Sequence, residues 1–212
     1  MAESKTVVPV SAGIDRAELL PSASYADEYD PHIWFDVRLW RDAVTAVGEA
    51  LAAADPRGAA DYRRRLDDYR AELEALDAWV RRRVATVPES SRVLATAHDA
   101  FGYFGRAYGL EVRGLQGTST ATEAGTRDVQ DLAAFLAERR VPAVFVESSV
   151  PPRAVEALRA AVRARGHDVR IGGSLYSDAL GDPGGPAATY VGMVRANVTT
   201  IVEALGGAKE TP

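Results

Sequence analysis

The stretch Ser91–Gly105, SRVLATAHDAFGYFG, decides the fold. Its first half, Arg92–Ala97, contains the short apolar run Val93-Leu94-Ala95-Thr96-Ala97, which has the dimensions of a buried strand. The run ends on His98, an acid follows at Asp99, and a helix over Ala100–Tyr108, carrying Phe101, Tyr103 and Phe104, continues to Gly109. A buried strand passing straight into a helix is one unit of a parallel, helix-covered sheet. An ionisable ring at its carboxyl end is not something apolar packing asks for.

Downstream, strand and helix go on alternating. Leu110–Leu115 reads as a strand and Gly117–Gly125 as a polar loop. Thr126 caps a helix through Arg140, with Val129, Leu132, Phe135 and Leu136 on its inner face. Ala143–Val146 is a fully apolar strand, Pro151-Pro152 opens a helix to Arg165, and Asp168–Ile171 is the next strand. Gly172–Pro186 reads as a glycine-rich loop, and Thr189–Leu205 as a last helix with Tyr190, Met193, Val194, Val198, Ile201 and Leu205 on one face.

Upstream lies the longest regular segment. Tyr62, Leu66, Tyr69, Leu73, Leu76, Val80 and Val84 recur at steps of three and four. About 28 helical residues would span roughly 42 Å, and Arg63–Arg65 and Arg81–Arg83 read as its solvated face. Before it, Val37, Trp40, Val44, Val47 and Leu51 mark a helix running from Asp36 to Asp55-Pro56. Residues 11–31 read as a loop, and Thr6–Val10 as a short strand that Pro9 confines to an edge.

The 212 residues, 47% hydrophobic and 26% charged, suit one large domain or two modest lobes with a real core, and a net charge of −5 speaks against nucleic acid or an anionic membrane as partner. The absence of cysteine removes disulfides, thiolate metal sites, a cysteine nucleophile and a lipid-acceptor thiol. The opening residues lack the apolar stretch of a secretory signal, and no run reaches the roughly 18 apolar residues of a membrane span. There is no Gly-x-Ser-x-Gly elbow and no phosphate-cradling glycine loop ending in Gly-Lys.

In an open α/β sheet, ligands bind beyond the carboxyl ends of the strands. His98, Glu147 and Asp178 all follow strands, so all three project from one edge, and each offers a nitrogen or oxygen to a divalent metal. Glu147 could equally accept backbone N–H groups, and Asp178 competes with Asp182, which has the setting of an ordinary turn residue. His32, in Asp30–Asp36 (DPHIWFD), sits in an apolar wall where a packed core histidine is the commoner outcome. His167 precedes a strand, at the opposite edge, and reads as a surface residue.

Four stretches, DPHIWFDVRLW, ATAHDAFGYFGRAYGLEVRGLQG, FVESSVPPRAVEALR and LYSDALGDPGGPAATYVGMVRANVTTIVEAL, together resemble the TroA-like solute-binding proteins that deliver zinc, manganese or iron to ABC importers. The likeness runs in order from about residue 5 to residue 206. It implies a two-lobed α/β protein bridged by one long helix, with the metal held between lobes. Residue by residue, the family's Asp-Pro-His histidine, second-lobe histidine and late aspartate fall on His32, His98 and Asp178, and the intervals between these positions are those of the TroA-like pattern. Glu147 is left outside the ligand set. A histidine at 98, where manganese-specific relatives often carry glutamate, tilts the expectation toward Zn²⁺ over Mn²⁺ or Fe²⁺.

The resemblance further implies an earlier part of the first lobe, with an export signal and one more histidine ligand. On that basis residues 1–56 are expected to be a partial N-terminal lobe, 57–87 the bridging helix and 88–212 the C-terminal α/β lobe. The implied role is an extracytoplasmic, non-enzymatic binding component handing a transition-metal ion to a membrane permease, monomeric if complete. With the lobe partial, Ile33, Trp34, Phe35 and Trp40 are expected to lose cover and promote self-association. Two rival readings are a mononuclear metal-dependent hydrolase with Glu147 as base, and a truncated fragment without function.

Overall fold

The structure, a computed structural model, describes residues 7–22, 28–121 and 124–209. Helices α1 (Val37–Ala54) and α2 (Ala59–Ala85) come first. Then β1 (Val93–His98), α3 (Gly102–Tyr108), β2 (Glu111–Gln116), α4 (Thr126–Glu138), β3 (Ala143–Glu147), α5 (Arg153–Arg163), β4 (Arg170–Leu175) and α6 (Tyr190–Ala204) follow. The four strands form one parallel sheet in the order β2-β1-β3-β4. The α/β class, the parallel sheet and the long second helix are as the sequence implied.

The period of two along the strands divides the core between the sheet's faces. Val93, Ala95, Ala97 and Val144 meet Leu132, Leu136, Leu158 and Val162 of α4 and α5. Leu94, Phe145 and Leu175 face the other way, into a larger core with α1, α2, α3 and α6. Leu94 is fully buried, so Leu94→Ala should cost about 2–5 kcal/mol. Helix α2 contributes Leu73, Leu76, Val80 and Val84 to this core. Its arginines stay outside on short ion pairs, Arg65–Asp61 at 2.8 Å and Arg81–Asp77 at 2.8 Å among them. Gly48 lets α1 approach α2 closely, because a Cβ there would stand 2.8 Å from Leu66 Cδ2.

Three expectations are corrected. The strand over Thr6–Val10 does not form. Thr6 lies outside the described residues, Val7–Pro9 pair with no strand among the described residues, and Val10–Gly13 is a turn of 3₁₀ helix. Val7 is 85% exposed, so no neighbour offers it a ladder. The last strand spans Arg170–Leu175 rather than Asp168–Ile171, taking in four residues read as loop. Its glycines are a packing requirement: a Cβ on Gly172 would meet Phe145 at 2.6 Å and Ala204 at 2.7 Å.

The third correction concerns the apolar wall after His32. Ile33 and Phe35 are buried, and Trp34 and Trp40 are half-buried. Phe35 stacks on Phe101 with ring centroids 4.2 Å apart, and Trp40 stacks on Tyr190 of α6 at 5.1 Å. The cover comes from within the chain, from α3 and α6.

Candidate metal centre

In this sheet the order reverses between β1 and β3, since the chain leaves β1 toward β2 on one side and reaches β3 on the other. Ligands favour the crevice at such a point. His98 closes β1 and Glu147 closes β3, so the two sit side by side at its mouth. Both are buried.

His32 arrives from outside the sheet. Pro21 and Tyr29 form an isolated bridge, Asp30 N–H donates to Leu20 O, and buried Tyr103 ties both arms together by accepting from Leu20 N–H and donating to Asp30 O. Residues 33–35 then make one 3₁₀ turn before Asp36 caps α1 by accepting from Arg38 N–H. The His32 ring comes to rest edge-on to the His98 ring, centroids 5.4 Å apart.

Asp178 lies in the loop after β4. Asn197 of α6 fixes that loop, accepting from Tyr176 N–H and donating to Tyr176 O. Trp34 Nε1 donates to Ser177 O, and the Ser177 and Ser149 hydroxyls lie 2.5 Å apart. Asp178 Oδ1 stands 3.5 Å from His32 Nε2 and 3.6 Å from His98 Nε2. The three donor atoms all fall within 4.8 Å of one another. A tetrahedral zinc with ligands near 2.0–2.1 Å separates its donors by about 3.3 Å, so small adjustments would close the set around an ion. Among the described residues these three are the group that could hold a metal ion.

Each histidine has a carboxylate behind it. Asp30 Oδ1 accepts the His32 backbone N–H at 2.9 Å and lies 2.6 Å from its ring Nδ1. Glu147 Oε1 accepts the His98 backbone N–H at 2.8 Å, and Oε2 lies 2.6 Å from its Nδ1, an ion-pair distance although the ring N–H points off the line. His98 Nε2 is buried without a hydrogen-bond partner among the described residues. No lysine or arginine pairs with Asp30, Glu147 or Asp178 among the described residues, so negative charge collects around two imidazoles.

That charge shifts the titrations. Burial disfavours the His98 imidazolium, but Asp178 and Glu147 outweigh it and push the pKa up to about 9. For His32 burial is likewise overcome, by Asp178 and Asp30, and the pKa rises. The two imidazoles in turn hold the Asp178 carboxyl well below the usual carboxylate range.

The other candidates lie apart. His167 sits at the amino edge, before β4, and is half-buried rather than free at the surface, its Nε2 2.7 Å from Val141 O. Asp182 is exposed, and its carbonyl accepts from Gly185 N–H in a turn. The sequence reading passed over Asp30, taking Asp-Pro as a turn. Its signal was the spacing, an acid two residues before a histidine, which lets one oxygen reach both the backbone and the ring.

The family described as zinc-uptake complex component A, periplasmic (ZnuA), matches residues 1–204. The zinc-binding protein TroA of Treponema pallidum is 55% identical over 202 residues, covering 95% of this chain and 65% of that protein. The manganese-binding lipoprotein MntA of Bacillus subtilis is 44% identical over 205 residues, 97% of this chain and 67% of that protein. The solved structure of the T. pallidum periplasmic zinc-binding protein TroA superposes with a TM-score of 0.92 at 53% identity, over 96% of this chain and 73% of that one. The chain thus spans about two thirds of the length of the relatives it matches. On sequence and on fold together, it belongs to the ZnuA family of periplasmic metal-uptake components.

Proposed function

We propose that this chain binds one divalent transition-metal ion, Zn²⁺ or Mn²⁺, through Nε2 of His32, Nε2 of His98 and the Asp178 carboxylate, as the substrate-binding part of a metal-ion ABC importer. The observation that carries the reading is the convergence of three donors from segments far apart in sequence to within 4.8 Å. The ion is cargo: it is held, then passed to a membrane permease outside the cytoplasm. Two nitrogens and an oxygen suit zinc, manganese and ferrous iron alike. The histidine at 98 favours zinc.

In this reading residues 1–56 are part of a first lobe, 57–87 the bridging helix and 88–212 the second lobe. The aromatic wall that follows His32 is covered within one chain, which supports a monomer as the working form. A hydrolytic role is disfavoured by the state of Glu147. One of its oxygens holds a backbone amide and the other faces the His98 ring, leaving no oxygen to act as base on a water at the site. The known relatives are metal-binding transport proteins, not enzymes.

Calorimetry on metal-stripped protein tests the proposal. About one Zn²⁺ per chain is expected, and absence of saturable binding would overturn it.

A further inference from the structure

We propose that Asp30 and Glu147 are paired positioning residues that lock the proton of each histidine onto Nδ1 and so commit both Nε2 atoms to the metal. This rests on the metal-binding reading above. The observation is a repeated geometry with different origins. In both cases one carboxylate accepts the backbone N–H and stands 2.6 Å from the ring Nδ1 of the same histidine; the ring contact is a hydrogen bond for Asp30 and a close charge contact, off the N–H line, for Glu147. Asp30 does so from two residues upstream within a turn, and Glu147 from the neighbouring strand.

A carboxylate can only accept, so the His32 Nδ1 bonded to Asp30 carries the hydrogen, and at His98 a bare Nδ1 lone pair 2.6 Å from Glu147 Oε2 would be repelled, which favours the protonated Nδ1 there too. Gripping the amide and the ring together fixes the side chain at both ends, which leaves the imidazole little freedom to rotate and offer Nδ1 instead. The ring nitrogens that remain are the two that face Asp178. A purely structural role for these acids fits less well. Neither is matched by a lysine or arginine among the described residues, and a buried carboxylate without a cation is costly. Orienting partners of this kind typically govern 10–100-fold in metal affinity.

The third histidine supplies an internal control. His167 Nε2 faces the Val141 carbonyl, which can only accept, so its proton sits on Nε2. Long-range proton–nitrogen correlation spectra of the zinc-loaded, ¹⁵N-labelled chain should therefore show two rings protonated at Nδ1 with zinc on Nε2, and one ring of the opposite form. Zinc on Nδ1 of either His32 or His98 overturns the proposal, and this measurement needs no variant.

Competition with a chelator adds the energetic arm. Asp30→Asn and Glu147→Gln should each weaken zinc binding by about 10–100-fold, and Glu147→Asp, which keeps the charge but shortens the reach, should recover part of the loss relative to Glu147→Gln. Unchanged affinity in both folded variants overturns the positioning role while leaving the metal site standing. An unaltered chain that binds no zinc overturns the metal reading itself.

Discussion

The two edges of one four-stranded sheet treat their histidines in opposite ways. At the carboxyl edge His98 is fully buried, backed by Glu147, and turns toward Asp178 an Nε2 that has no hydrogen-bond partner among the described residues. At the amino edge His167 spends its ring nitrogen on the Val141 carbonyl, beside the exposed Arg163–Asp168 pair. The residue type is the same, and the strand direction decides its chemistry. Loops at the carboxyl edge connect strands across the point where their order reverses, so side chains from distant segments meet there. At the amino edge each loop merely finishes a helix.

Replacing the rings should break this contrast most sharply. His98→Ala is expected to abolish zinc binding in a chelator competition, and His32→Ala to do nearly as much. Retained binding in His98→Ala would remove that ring from the site. The next largest effect is the pH response. An ion must displace the His98 proton, so with a pKa of about 9 the apparent zinc affinity should fall several-hundredfold between pH 9 and pH 6, against about fourfold for an unshifted histidine. Zinc binding near neutral pH should accordingly release protons, measurable as a dependence of the calorimetric heat on buffer ionisation.

Without metal, the same shift acts on stability with the opposite sign. A pKa raised in the folded state contributes stability that is fully present below the unfolded value near 6.5 and is lost as pH rises through about 9. The loss is on the order of 3 kcal/mol, so the melting temperature of the metal-free protein should drop by several degrees between pH 6.5 and 9. His98→Ala should flatten that slope. The smallest effect belongs to the other edge: His167→Ala should change zinc affinity by less than about twofold, and a large loss would mean that its strand runs the other way.

Much of this was legible in the residues because the strongest signals are local. The run VLATA followed by a ring named both β1 and the donor at its end, and the three-and-four spacing from Tyr62 to Val84 named α2. The strand RIGGSL was harder. Its glycines mimic a loop, and the reason for them, the close approach of Phe145 and Ala204, exists only once β3 and α6 are packed. The false strand at Thr6–Val10 failed for the converse reason, since β-branched residues cannot supply their own partner strand. For the site, residue type and strand-end position sufficed to nominate His98 and Asp178, while His32 needed the family resemblance. Asp30 was missed because its purpose shows only when its oxygen is seen against two nitrogens of His32.

Helix α6 has a bearing on how the molecule is made. It carries Asn197, which pins the loop bearing Asp178, and Tyr190, whose hydroxyl donates to Trp34 O near His32. The loop bearing Asp178 and the turn after His32 are therefore held in part by a helix that leaves the ribosome last among the described elements. Synthesis at about 5–20 residues per second leaves earlier segments free to begin folding well before that helix appears. Contacts between residues so distant in sequence also form late, because their loop-closure entropy is met only near the end of folding. A nascent chain should thus complete translation before its candidate metal cage is assembled.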